Sequence, residues 1–208
     1  KMKKNPTFAG IPEEFAHLEK SRIVLIPVPY DGTSTWGKGA DRGPAAFLKA
    51  AENMELYDIE TDSEVYREGI YLASPITEND SPQALVDEVH KQVKEYIKRN
   101  KFVTLIGGEH SLSIGSVRAF NECFDNLTVL QIDAHADLRD SYKGNPFSHA
   151  CVMSRIREVT PHTLQIGIRS MSLDEAQRIE RENLAVCTMT DYRRGNFDID
   201  AAIAHLPN

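Results

Sequence analysis

The sequence has little cysteine, a single tryptophan and no long apolar run. Its 208 residues include three cysteines, Cys123, Cys151 and Cys187, odd in number and widely spaced. That pattern offers neither a disulfide framework nor a zinc-type cysteine pair, and suits free thiols in a reducing compartment such as the cytoplasm. No apolar run approaches the roughly 20 residues a membrane-crossing helix needs. Residues 1–10 hold no apolar stretch of signal-peptide length. An excess of positive charge is missing too: 24 Lys and Arg stand against 31 Asp and Glu, a formal net charge of −7. That balance argues against nucleic acid or an anionic membrane as a partner, and it is compatible with a cationic substrate. Repeats, linkers and low-complexity segments are absent. What remains, 41% apolar and 26% charged residues, fits one globular core.

Residues 22–28 (RIVLIPV) form a continuous apolar run, the pattern of a strand covered on both faces. Residues 30–43, with four glycines and Trp36, read as a long ordered loop at a strand's C-terminal end. Their glycine spacing matches neither the P-loop nor the dinucleotide fingerprint. Pro44 suits the start of a helix over 45–52, and a short helix is expected over 12–19. Strands are expected at 69–73, 101–106, 127–132, 163–168 and 184–188. Helices are expected from Ser81-Pro82 onward, where the apolar positions Leu85, Val86, Val89, Val93, Tyr96 and Ile97 follow the 3.6 period and Lys94, Lys98 and Arg99 suit the negative end, and at 111–120, 150–158, 172–183 and 198–206. Ser81 is a cap, and Ser172 with Glu175 a capping box. This alternation predicts an α/β fold with a mostly parallel sheet. Right-handed crossovers then place the strand C-termini, where ligands bind, on one edge.

Two segments carry the chemistry: Gly107-Gly108-Glu109-His110-Ser111 and Asp133-Ala134-His135-Ala136-Asp137. The second follows 127–132, expected to be a buried strand. In extended backbone alternate residues share a side, so Asp133, His135 and Asp137 are expected to converge just past the strand end. Asp133 and Asp137 would repel each other if both were ionised and partly desolvated. A divalent cation resolves that. Carboxylate and imidazole ligands suit Mn²⁺, Fe²⁺ or Zn²⁺, and the lack of a cysteine ligand favours manganese or another fairly hard ion. One carboxylate can bridge two ions. Gly107 and Gly108 read as a tight turn or as room for the His110 backbone to approach a metal. Glu109 reads equally as a support for the site or as a solvated acid. His149 is a candidate proton shuttle.

These segments, with Ser148-His149-Ala150 and the PVPYDGTSTWGKGADRGPAAF stretch at 27–47, resemble the ureohydrolase family of arginases and agmatinases, in order and spacing from residue 22 to about 170. The wording is nearest to agmatinase. The resemblance implies an arginase/deacetylase-like three-layer α/β/α fold and a pair of Mn²⁺ ions. It implies hydrolysis of a small cationic guanidino compound, agmatine to putrescine and urea, by attack of a metal-bridging hydroxide. By position, His110 and Asp137 would hold one ion, His135 the other, and Asp133 would bridge. Asp137 would also orient the nucleophile, and His149 would pass a proton to the leaving amine. A homo-oligomer, trimer or hexamer, is implied. No substrate-binding residue is assigned, although Asp140 is a candidate to face a terminal amine.

The family's further strand with an Asp-x-Asp pair, and a later guanidinium-gripping glutamate, have no counterpart in these residues. Asp198-Ile199-Asp200 lacks a preceding apolar strand and fits a helix N-terminus. Residues 1–208 are therefore expected to form a single ureohydrolase-type domain, incomplete at its C-terminal end and a weak metal binder. The alternatives are an arginase or other guanidino-acid hydrolase, a catalytically inactive family member or fragment, and a zinc hydrolase of deacetylase type.

Overall fold

The structure, a computed structural model, describes residues 7–207; the reading of residues 1–6 lies outside them. The first sheet is built on β1 (Ile23–Val28), whose last five residues are all buried, as a strand covered on both faces must be. Its neighbours are β2 (Ile70–Leu72) and β3 (Phe102–Gly107), both parallel to it, in the order β2-β1-β3. The second sheet comprises β4 (Val129–Ile132), β5 (Thr163–Ile168) and β6 (Ala185–Thr188), again all parallel and in chain order. Around them lie α1 (Gly43–Ala51), α2 (Pro82–Lys98), α3 (Leu112–Asn121), α4 (Val152–Ile156), α5 (Leu173–Glu182), α6 (Met189–Arg194) and α7 (Ile199–Ala204). Parallel sheets flanked by helices are the α/β/α class that the sequence implies.

Local chemistry sets the helix ends. The Ser81 side chain accepts from the Ala84 N–H at 3.1 Å and starts α2, whose Leu85, Val86, Val89 and Val93 are buried. Helix α3 lies against α2 at Gly115, where any side chain would run into the Val86 carbonyl. The capping box of α5 is present, with the Ser172 N–H donating to Glu175 at 2.7 Å. Asp198 accepts from the Ala201 N–H at 2.9 Å, so the Asp198-Ile199-Asp200 sequence is the N-terminus of α7. No helix among the described residues is long and apolar enough to cross a membrane.

Several readings shift. The helix expected over 12–19 is one 3₁₀ turn, Glu13–Phe15. The one expected over 150–158 begins as a 3₁₀ turn, His149–Cys151, before α4. Helix α6 lies outside the expected helices, although Thr188 caps it and left-handed Gly195 ends it. The strand expected to be buried, β4, is an open edge: Leu130 is 49% and Ile132 78% exposed. It pairs with β5 alone, as β3 pairs with β1 alone. Between these two edges runs a groove of about 500 Å³, lined by both strands and by residues of α3 and α4.

Candidate metal centre and the cavity beside it

The chain leaves β3 through Gly107 and Gly108, then reaches Glu109 and His110. Gly108 has no room for a side chain because the Tyr30 backbone occupies that space. The second glycine thus serves the close approach of two post-strand loops. Glu109 is 8% exposed. It accepts from the Ser111 N–H and hydroxyl, both at 2.8 Å, and from the Thr33 N–H at 3.3 Å. It is a buried tie between loops.

The chain leaves β4 at Asp133, and the five residues that follow are not a plain extended strand. Asp133 Oδ1 turns back to accept the His135 N–H at 2.9 Å. His135 makes a parallel bridge to Ser170. Asp137 has φ +51°, a left-handed conformation that aspartate tolerates better than most residues. Its carbonyl receives the Met153 and Ser154 N–H groups at the start of α4, at 2.9 and 3.2 Å.

This path brings Asp137 Oδ2 to 2.8 Å from His110 Nδ1, with Asp133 Oδ2 at 3.6 Å from the same nitrogen. One ligand atom from each of His110, Asp133 and Asp137 lies within 4.8 Å of the others. His135 stands outside that group. Its side chain is 64% exposed, with Nδ1 at 3.5 Å from Asp133 Oδ1. Asp133 therefore directs one oxygen toward each imidazole. Burial pulls the His110 pKa down, but the Asp137 hydrogen bond and the charges of Asp137, Asp133 and Glu109 outweigh it and raise the value above the ordinary 6.5. The three groups call for positive charge between them. Ligand–ion distances of about 2.0–2.6 Å put donors on one ion up to about 5 Å apart, so the residues present fit a divalent cation.

On the other side of Asp137 lies a cavity of about 290 Å³, shared by Thr35, His135, Arg139, Tyr142, His149 and Glu175 among others. His149 is held there by Thr33, Ser148 and a T-shaped contact with the Tyr142 ring. Asp140 is not part of it. Its side chain is 88% exposed and pairs with Arg178 at 3.2 Å. Besides Asp137, the acid in the cavity wall is Glu175, buried, which receives the Leu138 N–H at 2.9 Å and faces Arg139 at 3.7 Å. Sequence reasoning singled out neither Thr33 nor Arg139. The signal for Thr33 was its place in the glycine-rich loop. Arg139 stood in the loop after Asp137 with no pattern to distinguish it.

A parallel α/β domain with two carboxylates and an imidazole gathered beyond its strand ends defines a candidate metal-centred site of the kind hydrolases use. The comparisons give the particular family. The Arginase family model matches residues 21–208, and the chain belongs to that family. It is 36% identical to N(1)-aminopropylagmatine ureohydrolase of Synechocystis, over 96% of this chain and 69% of that protein. The solved agmatine ureohydrolase of Thermoplasma volcanium superposes with a TM-score of 0.82 at 27% identity, over 91% of this chain and 64% of that one. Trypanosoma cruzi formiminoglutamase, solved with Mn²⁺, has the same fold, with a TM-score of 0.80 at 19% identity, over 98% of this chain and 72% of that one. The chain thus spans about two thirds of the length of proteins it matches.

Proposed function

We propose that the protein bearing this chain is a manganese-dependent ureohydrolase acting on a small cationic guanidino amine, agmatine or an aminopropyl derivative of it, to release urea and the amine. The observation that carries this reading is the convergence of His110, Asp133 and Asp137 within 4.8 Å, beside the cavity that holds His149. The names of the relatives in Synechocystis and Thermoplasma volcanium support the substrate class. The Mn²⁺ in the Trypanosoma cruzi relative supports the ion.

When bound, a pair of divalent ions would lower the pKa of water and supply the nucleophile at neutral pH. His110 and Asp137 would hold one ion and His135 the other, with Asp133 between them. Asp137, turned toward the cavity as well, would orient the nucleophile toward the planar guanidinium carbon. His149 would hold the proton that goes to the leaving amine nitrogen. The protein is read as a homo-oligomer, trimer or hexamer, acting in the cytoplasm without nucleic acid or membrane. Light scattering after size exclusion tests the assembly.

A second reading has one observation in its favour. Arg139 lines the same cavity and could receive the carboxylate of a guanidino acid. Its charge is already faced by Glu175 at 3.7 Å and by the Tyr142 ring at 5.4 Å, which favours the amine. Urea release from agmatine, arginine and guanidinobutyrate with Mn²⁺ separates the two. No urea from any of them with the full-length gene product rejects both.

A further inference from the structure

Thr33 lies in the glycine-rich loop after β1, yet three of its contacts reach distant parts of the site. Its N–H donates to Glu109 Oε1 at 3.3 Å, one residue before His110. Its hydroxyl oxygen accepts the His149 N–H at 2.9 Å. The same oxygen lies 3.1 Å from His149 Nδ1. A second hydroxyl, that of Ser148, is 3.3 Å from Nδ1 and accepts the Ala150 N–H at 3.4 Å. Ser148 is 2% exposed, so its hydroxyl must find partners inside the protein.

The donor count assigns the tautomer. Each hydroxyl has one proton to donate and has already accepted a backbone N–H. Among the described residues, the acceptor both hydroxyls reach is His149 Nδ1. A ring protonated there would deprive both hydroxyl protons of that acceptor. This arrangement favours a neutral ring with its proton on Nε2, which meets no hydrogen-bond partner among the described residues. The ring lines the cavity beside Asp137, and the Tyr142 ring meets it in a T-shaped contact with centroids 5.8 Å apart at 82°.

We propose that Thr33 is a positioning residue for proton transfer: its hydroxyl fixes His149 in the Nε2–H tautomer and turns that nitrogen to the cavity. The inference rests on the proton-transfer role given to His149 above. When the ring takes a proton from solvent at Nδ1, the Thr33 hydroxyl must give up its donation and rotate to accept, so this form is held less firmly than the neutral one and the ring returns to it. The proton that leaves is the one on Nε2, and it goes to the amine nitrogen. The proton on Nδ1 stays hydrogen-bonded to Thr33 Oγ1 until solvent takes it and Nε2 is reprotonated.

The test is a long-range ¹H–¹⁵N correlation spectrum of the chain labelled with ¹⁵N-histidine, at a pH where the ring is neutral. His149→Gln identifies the signals by their loss. The Nε2–H pattern is expected in the unsubstituted chain. Thr33→Val keeps the N–H to Glu109 and should give mixed tautomers, while Thr33→Ser should retain the single one. Should Thr33→Val fail to fold, Thr33→Ala against Thr33→Ser makes the same comparison. An Nδ1–H ring in the unsubstituted chain, or an unchanged spectrum in Thr33→Val, overturns the proposal. In urea release by the full-length gene product with Mn²⁺, Thr33→Val is expected to lower kcat roughly tenfold with KM unchanged. The two failures are distinct. A lost tautomer signature with urea release intact removes the clamp alone, whereas an intact signature without urea removes the proposed function and leaves the clamp standing.

Discussion

Asp133 is the residue where the site's demands meet. One oxygen lies toward His110 and the other toward His135, at 3.6 and 3.5 Å. Replacing it with asparagine keeps an acceptor for the His135 N–H but removes the charge. Asp133→Asn is expected to weaken Mn²⁺ binding by at least ~100-fold. The metal-free protein should melt at the same temperature or higher, because repulsion with Asp137 is relieved. Titration calorimetry and thermal melts read the two effects, and unchanged affinity would remove Asp133 from the site. Asp31 plays a different part at the start of the glycine-rich loop. The Ser34 side chain lowers its pKa, against burial, with help from the Gly39 N–H, Lys38 and the Ala40 N–H. A depressed carboxylate stabilises the fold above its unfolded pKa of about 3.9 and loses that contribution as pH falls through the lower folded value. Asp31→Asn should therefore be destabilising by roughly 1–3 kcal/mol at neutral pH, and the gap should close in acid. Urea unfolding across pH checks this, and a gap that widened in acid would contradict it.

The elements place these residues through their ends. Gly108 allows the loops after β1 and β3 to touch at Tyr30. Gly108→Ala is expected to destabilise by about 2 kcal/mol or more through forced backbone movement, measurable by urea unfolding. The open edges have their own signature. Phe102 and Gly108 donate their N–H groups to carbonyls of Arg22 and Val28, and Val129 and Asp133 to those of His162 and Ile166. Alternation along a parallel strand then turns the amides of Leu105, Leu130 and Ile132 toward the groove. These should exchange with deuterium much faster than Thr104 and Gln131, and equal protection would mean the groove is closed. Much of this architecture was legible beforehand. Apolar runs marked all six strands to within about two residues, and Ser81 and Ser172 announced their helices. The open edge was not legible, because Leu130 and Ile132 have the composition of a covered strand whatever lies beside them. The ligand-bearing segment was half legible. Residue type named Asp133 and Asp137, but strand alternation could not foresee the left-handed turn at Asp137 that carries its carboxylate to His110 and leaves His135 exposed.

For the whole molecule, parallel strands matter because they deliver loops from distant parts of the chain to one edge. The loop after β1 brings Thr33, that after β3 His110, and that after β4 Asp133 and Asp137. Thr33 then links Glu109 to His149 across more than a hundred residues of sequence. This shared edge is proposed as a metal-dependent site for a guanidino amine. Urea release by the full-length gene product, with agmatine and with arginine, before and after chelation and again with Mn²⁺ restored, is the decisive measurement. Urea from agmatine in preference to arginine is expected, lost on chelation, recovered with Mn²⁺, and abolished by Asp133→Asn and His149→Gln. Urea release indifferent to chelation, or none from either compound, would rule out a metal-dependent guanidino hydrolase here.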